Sequence, residues 1–217
     1  MPAERARLID VLAALSLTTD LAAGFPFERG LRACLVADGL AQALDLHPRE
    51  HRAAFLASLL RAIGCGHASE NAALFGDDIA FERFLATFDP GDRAVAGAQL
   101  AVFEAEAGPG AGRTFLEVAP SVGPAAVRAS CEVAVALGTQ LDLPAGVLDA
   151  FADVFERWDG HGLPNHRAGE AVHPIARIVA VAEQAAMAHA VGGLAAARRS
   201  RLATWWKPCA APSRRPS

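Results

Sequence analysis

The sequence predicts an all-α fold, a bundle of helices joined mostly by short connections. Three observations predict it. Alanine and leucine, both strong helix formers, dominate the 217 residues. Apolar side chains recur at helical spacing, as at Phe55, Leu59 and Ile63 with Leu56 and Leu60 beside them. No run alternates apolar and polar residues for long enough to make a half-buried strand. Hydrophobic residues make up 53% of the chain and its mean hydropathy is +0.24, which excludes disorder for most of it. The length suits one domain with a sizeable core.

The elements follow in order. A first helix is expected over about 3–19. The segment Asp20 to Pro26 separates it from a second helix over about 27–45. Pro48 opens a third, where its missing N–H costs nothing, and Gly64 and Gly66 end it. A shorter helix is expected over 78–87, and Pro90 opens another that runs to about 106. The stretch Gly108-Pro-Gly-Ala-Gly112 is a flexible break that could subdivide the chain near 107–113. Helices over about 121–138 and 144–158 come next. In the latter, Val147, Leu148, Phe151, Val154, Phe155 and Trp158 form a core-facing stripe. A loop rich in Gly, Pro, Asn and His fills 159–173, and Pro174 starts a helix to about 190. The longer connections are thus 64–77, 106–120 and 159–173.

Several function classes are excluded early. The longest stretch without an acidic or basic residue, Gln184 to Ala197, is too weakly hydrophobic to span a bilayer. The N-terminus has mixed charge and no signal-peptide pattern, so a cytoplasmic protein without a membrane partner is expected. Cys34, Cys65, Cys131 and Cys209 show no CxxC spacing and read as free thiols. No Walker A or GxGxxG motif appears, and no serine sits in a nucleophile-elbow context. The formal charge of -4 hides an asymmetry: residues 1–183 hold 14 basic against 24 acidic residues, and the remainder holds six basic and none acidic. The basic tail at 198–217 is expected to be disordered. It could touch nucleic acid or a membrane surface, or be the frayed end of a truncated or frame-shifted chain; nucleic acid is not the expected partner.

The most specific signal is Glu156-Arg-Trp-Asp-Gly-His-Gly-Leu-Pro164, followed by Gly169-Glu170 and Pro174-Ile-Ala-Arg-Ile-Val-Ala-Val-Ala182. This arrangement resembles the signature of the HD-GYP family of bacterial second-messenger signalling domains, His-His-Glu-x-x-Asp-Gly-x-Gly-Tyr-Pro, a Gly-Glu element and a Pro-x-x-Ala-Arg-Ile helix. Upstream, Leu59-Leu-Arg-Ala-Ile-Gly64 is similar to the family's Leu-Leu-His-Asp-Ile-Gly, and the Arg29 to Leu46 helix is similar to its first ligand helix. The resemblance covers about 10–190 and is closest to a divergent group, some members of which precede a LuxR-type DNA-binding module. It implies an HD-domain-like helical bundle whose Gly/Pro-rich signature loop carries Arg157, Trp158, Gly160, Gly162, Pro164, Gly169 and Glu170.

The resemblance also implies a cluster of iron, manganese or zinc that activates water against the phosphodiester of cyclic di-GMP. This chain departs from that ligand set. The first-helix His is matched by Arg29, the His-Asp pair by Arg61 and Ala62, and the two His before the signature Glu by Val154 and Phe155. Only Glu183, at the place of an aspartate, keeps a carboxylate. No counterpart is found for the ligand His expected between 113 and 145. A guanidinium stays protonated and has no lone pair to give a metal. Neither a metal site nor a catalytic residue is therefore expected. A second metal reading places His161, His166, His173 and Glu170 together in the loop, against the plainer reading of an exposed glycine-rich segment.

Arg29, Arg61, Glu156, Asp159 and Glu183 define a candidate pocket. If the resemblance places both arginines at the former metal position, they need partners among those carboxylates, or they grip an anion such as a nucleotide phosphate. The plainer alternative points Arg61 to solvent. The expected function is a non-catalytic signalling domain that acts through signalling proteins at loop 159–173 or senses a ligand such as a cyclic dinucleotide, with a link to transcription regulation by analogy and a homodimer left open. The alternative is a metal-dependent cyclic di-GMP phosphodiesterase with altered ligands.

Overall fold

The computed structural model describes residues 7–22, 24, 28–65 and 68–199. The expected basic tail, apart from the backbone of 198 and 199, falls outside these residues, as do His67 and Cys209. The described residues form nine α-helices and no strand: α1 (Leu8–Ala22), α2 (Arg29–Ala43), α3 (Pro48–Leu59), α4 (Ala68–Phe75), α5 (Asp78–Thr87), α6 (Arg93–Ala107), α7 (Ala111–Gln140), α8 (Ala145–Phe151) and α9 (Pro174–Arg199). A 3-10 turn at Gly169–Ala171 lies in the last long loop.

The main core is built from α2, α3, α8 and α9, with α1 and the C-terminal half of α7 against it. Its buried faces are rich in alanine: Ala37 and Ala41 on α2, Ala53, Ala54 and Ala57 on α3, Ala182 on α9. Small side chains let the helix axes approach. The larger Leu60, Val147, Phe151, Val154, Ile178 and Val179 fill the space between them. Each such side chain contributes roughly 1.5–3 kcal/mol when fully buried. Of the stripe read from the sequence over 147–158, Val147, Phe151 and Val154 lie in the core with Leu148 and Phe155 against it, and Trp158 stands outside it.

Helices α4 to α7 enclose a second core of phenylalanines. Phe75 stacks on Phe81 at 4.1 Å and Phe84 on Phe103 at 4.6 Å, while Phe115 meets Phe84 edge-on at 4.9 Å. Offset and edge-on pairs of this kind add about 0.5–1.5 kcal/mol beyond burial. Helix α7 joins the two cores, since its Phe115 belongs to the phenylalanine cluster and its Ala134 to the main core.

The helices differ from the sequence reading in several places, among them α9, which runs to Arg199 rather than to about 190, and α3, which ends at Leu59. The expected connection over 64–77 contains α4. Helix α6 starts at Arg93 rather than at Pro90, because the Asp92 carboxylate accepts from Ala94 N and Val95 N and fixes the start there. Helix α7 begins at Ala111, ten residues before the expected start, and passes through Pro120 and Pro124. The prolines are spaced four apart, so they deprive only the carbonyls of Leu116 and Pro120 of a donor, and both of those residues are exposed to water. Helix α8 ends at Phe151 rather than at 158; turns follow it, for reasons that belong to the loop described below.

The start of α7 is fastened from the helix before it. The Glu104 carboxylate accepts from Gly110 N at 2.6 Å and Gly112 N at 2.7 Å. Those two N–H groups hold its carboxyl below the usual carboxylate range. Because the folded value lies below the unfolded one, this fastening is present above the ordinary pKa and is lost as pH falls through the folded value. In an NMR pH titration the Gly110 and Gly112 amides are expected to shift together, with a midpoint below the ordinary carboxylate range, and to lose that step in Glu104→Gln.

Candidate functional site

The loop after α8 is organised by buried carboxylates. Glu156 is 1% exposed, and its two oxygens accept from Asn165 N at 2.7 Å and Arg167 N at 2.9 Å. Asp153, also buried, accepts from His173 N at 2.8 Å and pairs with Arg167 at 3.1 Å. Leu163 N donates to Phe155 O, and Gly169 N to Trp158 O. These bonds fold the chain back on itself directly after α8. That is why the helix stops at Phe151 although the stripe read from the sequence continues to Trp158.

The signature glycines have separate reasons. Gly160 and Gly169 have φ of 79° and 57°, the left-handed region that glycine adopts without strain. Gly162 lies flat on the Glu156–Arg157 backbone, and a Cβ there would come within 2.6 Å of the Glu156 carbonyl carbon. Pro164 is buried behind it, after a cis peptide bond from Leu163. Arg157 is buried and bonds Asp159 at 2.9 Å and Asp89, from the α5–α6 turn, at 2.9 Å. Burial would raise the Asp159 carboxyl, but the Arg157 bond and the His161 N–H outweigh it and hold it below the usual range. Trp158 is half-buried, with the Arg177 guanidinium 5.5 Å from its ring centre; Arg177 also bonds the exposed Glu170 at 3.1 Å.

A second polar cluster lies inside the main core. Arg29 opens α2 and is 5% exposed. Its Nε reaches Asp20 Oδ1 at 3.3 Å and its Nη1 reaches Glu183 Oε1 at 3.2 Å. The other Asp20 oxygen accepts from Gly30 N at 3.0 Å, so the end of α1 supplies the anion that the start of α2 needs. Gly30 has no room for a Cβ, because Ser16 and the Leu59 carbonyl occupy that space. Arg61, just past α3, brings its Nη1 to 3.8 Å from the same Glu183 oxygen and lies over the Phe155 ring at 4.4 Å. Burial raises the Asp20 carboxyl above its usual range and lowers the Arg61 guanidinium, with Glu183 acting against the second shift.

The pocket read from the sequence is therefore partly corrected. Arg29, Arg61 and Glu183 do converge. Glu156 and Asp159 pair with neither arginine, since their oxygens serve the loop backbone and Arg157. The missing fourth charge is Asp20, placed by the sequence in a helix break. Two cations face two anions, and the cluster is neutral. Asp153 and Asp89, which order the loop from outside the signature, were also missed. Neither stands out in sequence, because each finds its partner at long range.

The residues at this position do not fit a metal cluster. Arg29 and Arg61 already face one oxygen of the Glu183 carboxylate as cations, at 3.2 Å and 3.8 Å. Val154 belongs to the apolar core, and Phe155 offers only its ring face. Among the described residues no group of three or more His, Cys, Asp or Glu could hold a metal ion. That includes the His161, His166, His173 and Glu170 set: His161 turns to Asp159 at 3.5 Å, and His173 Nδ1 accepts from Ile175 N.

Comparison with solved structures supplies a counterpart for the fold. The chain has an HD-domain-like helical fold. It superposes on the crystal structure of the cyclic GMP-AMP specific phosphodiesterase V-cGAP3 of V. cholerae with a TM-score of 0.65 and 18% identity, over 93% of this chain. The chain spans about half of that protein, 46% of its length. No family model matches the chain, and no curated protein matches it. No described helix is long and apolar enough to cross a membrane.

Breaking a buried ion pair leaves an uncompensated charge and typically costs about 3–5 kcal/mol. Glu183→Gln leaves Arg61 without its carboxylate and Arg29 with Asp20 alone. Its unfolding free energy in urea is expected to fall by about that amount. A loss under about 1 kcal/mol, the range of exposed pairs, would contradict the burial described for the cluster.

Proposed function

We propose that this chain is a degenerate, non-catalytic relative of HD-GYP phosphodiesterases that serves as a signalling module through protein contacts or ligand sensing. The observation that carries this reading is the charge cluster. Where the resemblance expects imidazoles and carboxylates around metal ions, two guanidinium groups share one carboxylate and a second carboxylate neutralises them. Fixed side-chain charge takes the place of metal charge. A guanidinium cannot ligate, so the water-activating chemistry that a metal would supply has no ligands to support it.

The loop over 159–173 supports a role in contacts. Its exposed His161, Asn165, His166, Arg167 and Glu170 are held on a scaffold of buried carboxylates. Recognition by a loop works best when its backbone is fixed in this way. Other signalling proteins are the proposed partners, in the cytoplasm, with a link to transcription regulation by analogy alone; a homodimer is compatible with the reading. The neutral cluster offers no excess positive charge to a doubly charged cyclic dinucleotide, which favours protein contacts over capture of that ligand at Arg29 and Arg61.

The second reading is a metal-dependent cyclic-dinucleotide phosphodiesterase with altered ligands. It is favoured by the likeness to a cyclic GMP-AMP specific enzyme. Metal analysis separates the two. Protein purified after growth with added iron, manganese and zinc is expected to hold less than stoichiometric metal and to leave cyclic di-GMP and cyclic GMP-AMP intact. Stoichiometric metal together with hydrolysis would establish the second reading.

A further inference from the structure

Helix α7 is 30 residues long and carries only four charges, Arg113, Glu117, Arg128 and Glu132. In its C-terminal half, Ser130, Cys131, Ala134 and Gly138 are buried on one face. The opposite face is apolar and turned to water. Val122 and Val133 are 47% and 46% exposed, Ala125 and Ala136 are exposed, and Ala129 between them is half-buried. A helix face that meets only water is ordinarily polar. An uninterrupted apolar one marks a contact surface. The five residues stand at −7, −4, 0, +4 and +7 from Ala129, which makes one stripe at helical spacing. At 1.5 Å per residue it is about 20 Å long.

The stripe is complementary to itself. A second copy of α7, antiparallel across a two-fold axis at Ala129, sets Val122 over Ala136 and Ala125 over Val133. Each valine then meets an alanine, and the small residues let the two helices approach. The charges favour the same arrangement. Arg128 and Glu132 are exposed on one flank of the stripe, and neither makes an ion pair with a described residue. Arg128 donates to the neutral Asn165 Oδ1 at 3.2 Å, which leaves its charge unanswered. In an antiparallel helix pair each flank faces its own copy, so Arg128 of each chain comes beside Glu132 of the other. Complementarity to itself in both shape and charge is what a two-fold interface requires; a different partner would not need it. We propose that this chain forms a two-fold dimer through antiparallel packing of the C-terminal halves of α7, with Arg128 and Glu132 paired between the copies. One seam of this length is a small interface, so the dimer is weak, with a dissociation constant on the order of 0.1 mM. The interface is separate from the charge cluster and does not depend on the function proposed above.

The test is sedimentation equilibrium of the full chain at low salt, up to about 1 mM protein, with charge exchange at the flank. Wild type is expected to pass from monomer to dimer over this range. Arg128→Glu and Glu132→Arg should each weaken the dimer about tenfold, because like charges then meet at both ends of the seam. The double variant Arg128→Glu with Glu132→Arg should recover the wild-type constant to within about threefold, since the pairs are restored with their signs reversed. Val133→Asp, at an exposed position, should keep the wild-type melting curve and remain monomeric. If that variant melts early, the charge exchange still decides. A wild type that stays monomeric at about 1 mM would overturn the proposal. So would a dimer that both single charge variants leave unchanged, as a parallel pairing or an interface elsewhere would, or a double variant as weak as the singles.

Discussion

One carboxylate, that of Glu183, sits between two guanidinium groups in the interior of a helical bundle. Everything around it follows from the need to satisfy those charges away from water. Arg29 lies at the positive end of α2, the least favourable place for a cation. It is tolerated because Asp20 reaches over from α1 to take both its Nε and the Gly30 N–H. Gly30 lacks a side chain so that α1 and the end of α3 can close over the cluster. Arg61 spreads its remaining charge over the Phe155 ring. These groups come from α1, α2, α9 and the turn just past α3, all of which pack in or against the main core.

Buried charges rarely increase stability over an apolar core of the same volume, so their presence here points to specificity of arrangement rather than to strength. An all-alanine seam between α2, α3 and α9 could slide; a carboxylate that must meet two guanidiniums cannot. The cluster ties α9 to α2 and to the turn just past α3. Helix α9 begins at the end of the loop that Glu156 and Asp153 hold.

The bundle was largely legible in the sequence because helical spacing and Gly/Pro punctuation are local signals. The signature loop was legible for the same reason: Gly160, Gly162, Pro164 and Gly169 each answer a backbone need within a few residues. What the sequence concealed depended on distance or on water. Asp20 pairs across a turn with a residue nine positions on. Asp89 reaches Arg157 across 68 positions. Pro120 and Pro124 look like breakers, but the carbonyls they orphan belong to exposed residues, so α7 continues. Glu156 and Asp159 read as partners for the arginines because the resemblance places the signature beside the former metal position; the loop backbone and Arg157 claim them first.

The proposed reading is that guanidinium charge stands where the resemblance to HD-GYP domains implies metal. Anomalous diffraction from crystals grown with excess manganese tests it at the atoms concerned. The account predicts no manganese peak at coordinating distance from the Glu183 carboxylate, and well-ordered density for Arg29 and Arg61 against it. A manganese peak bound to Glu183, with either arginine swung away, would contradict it.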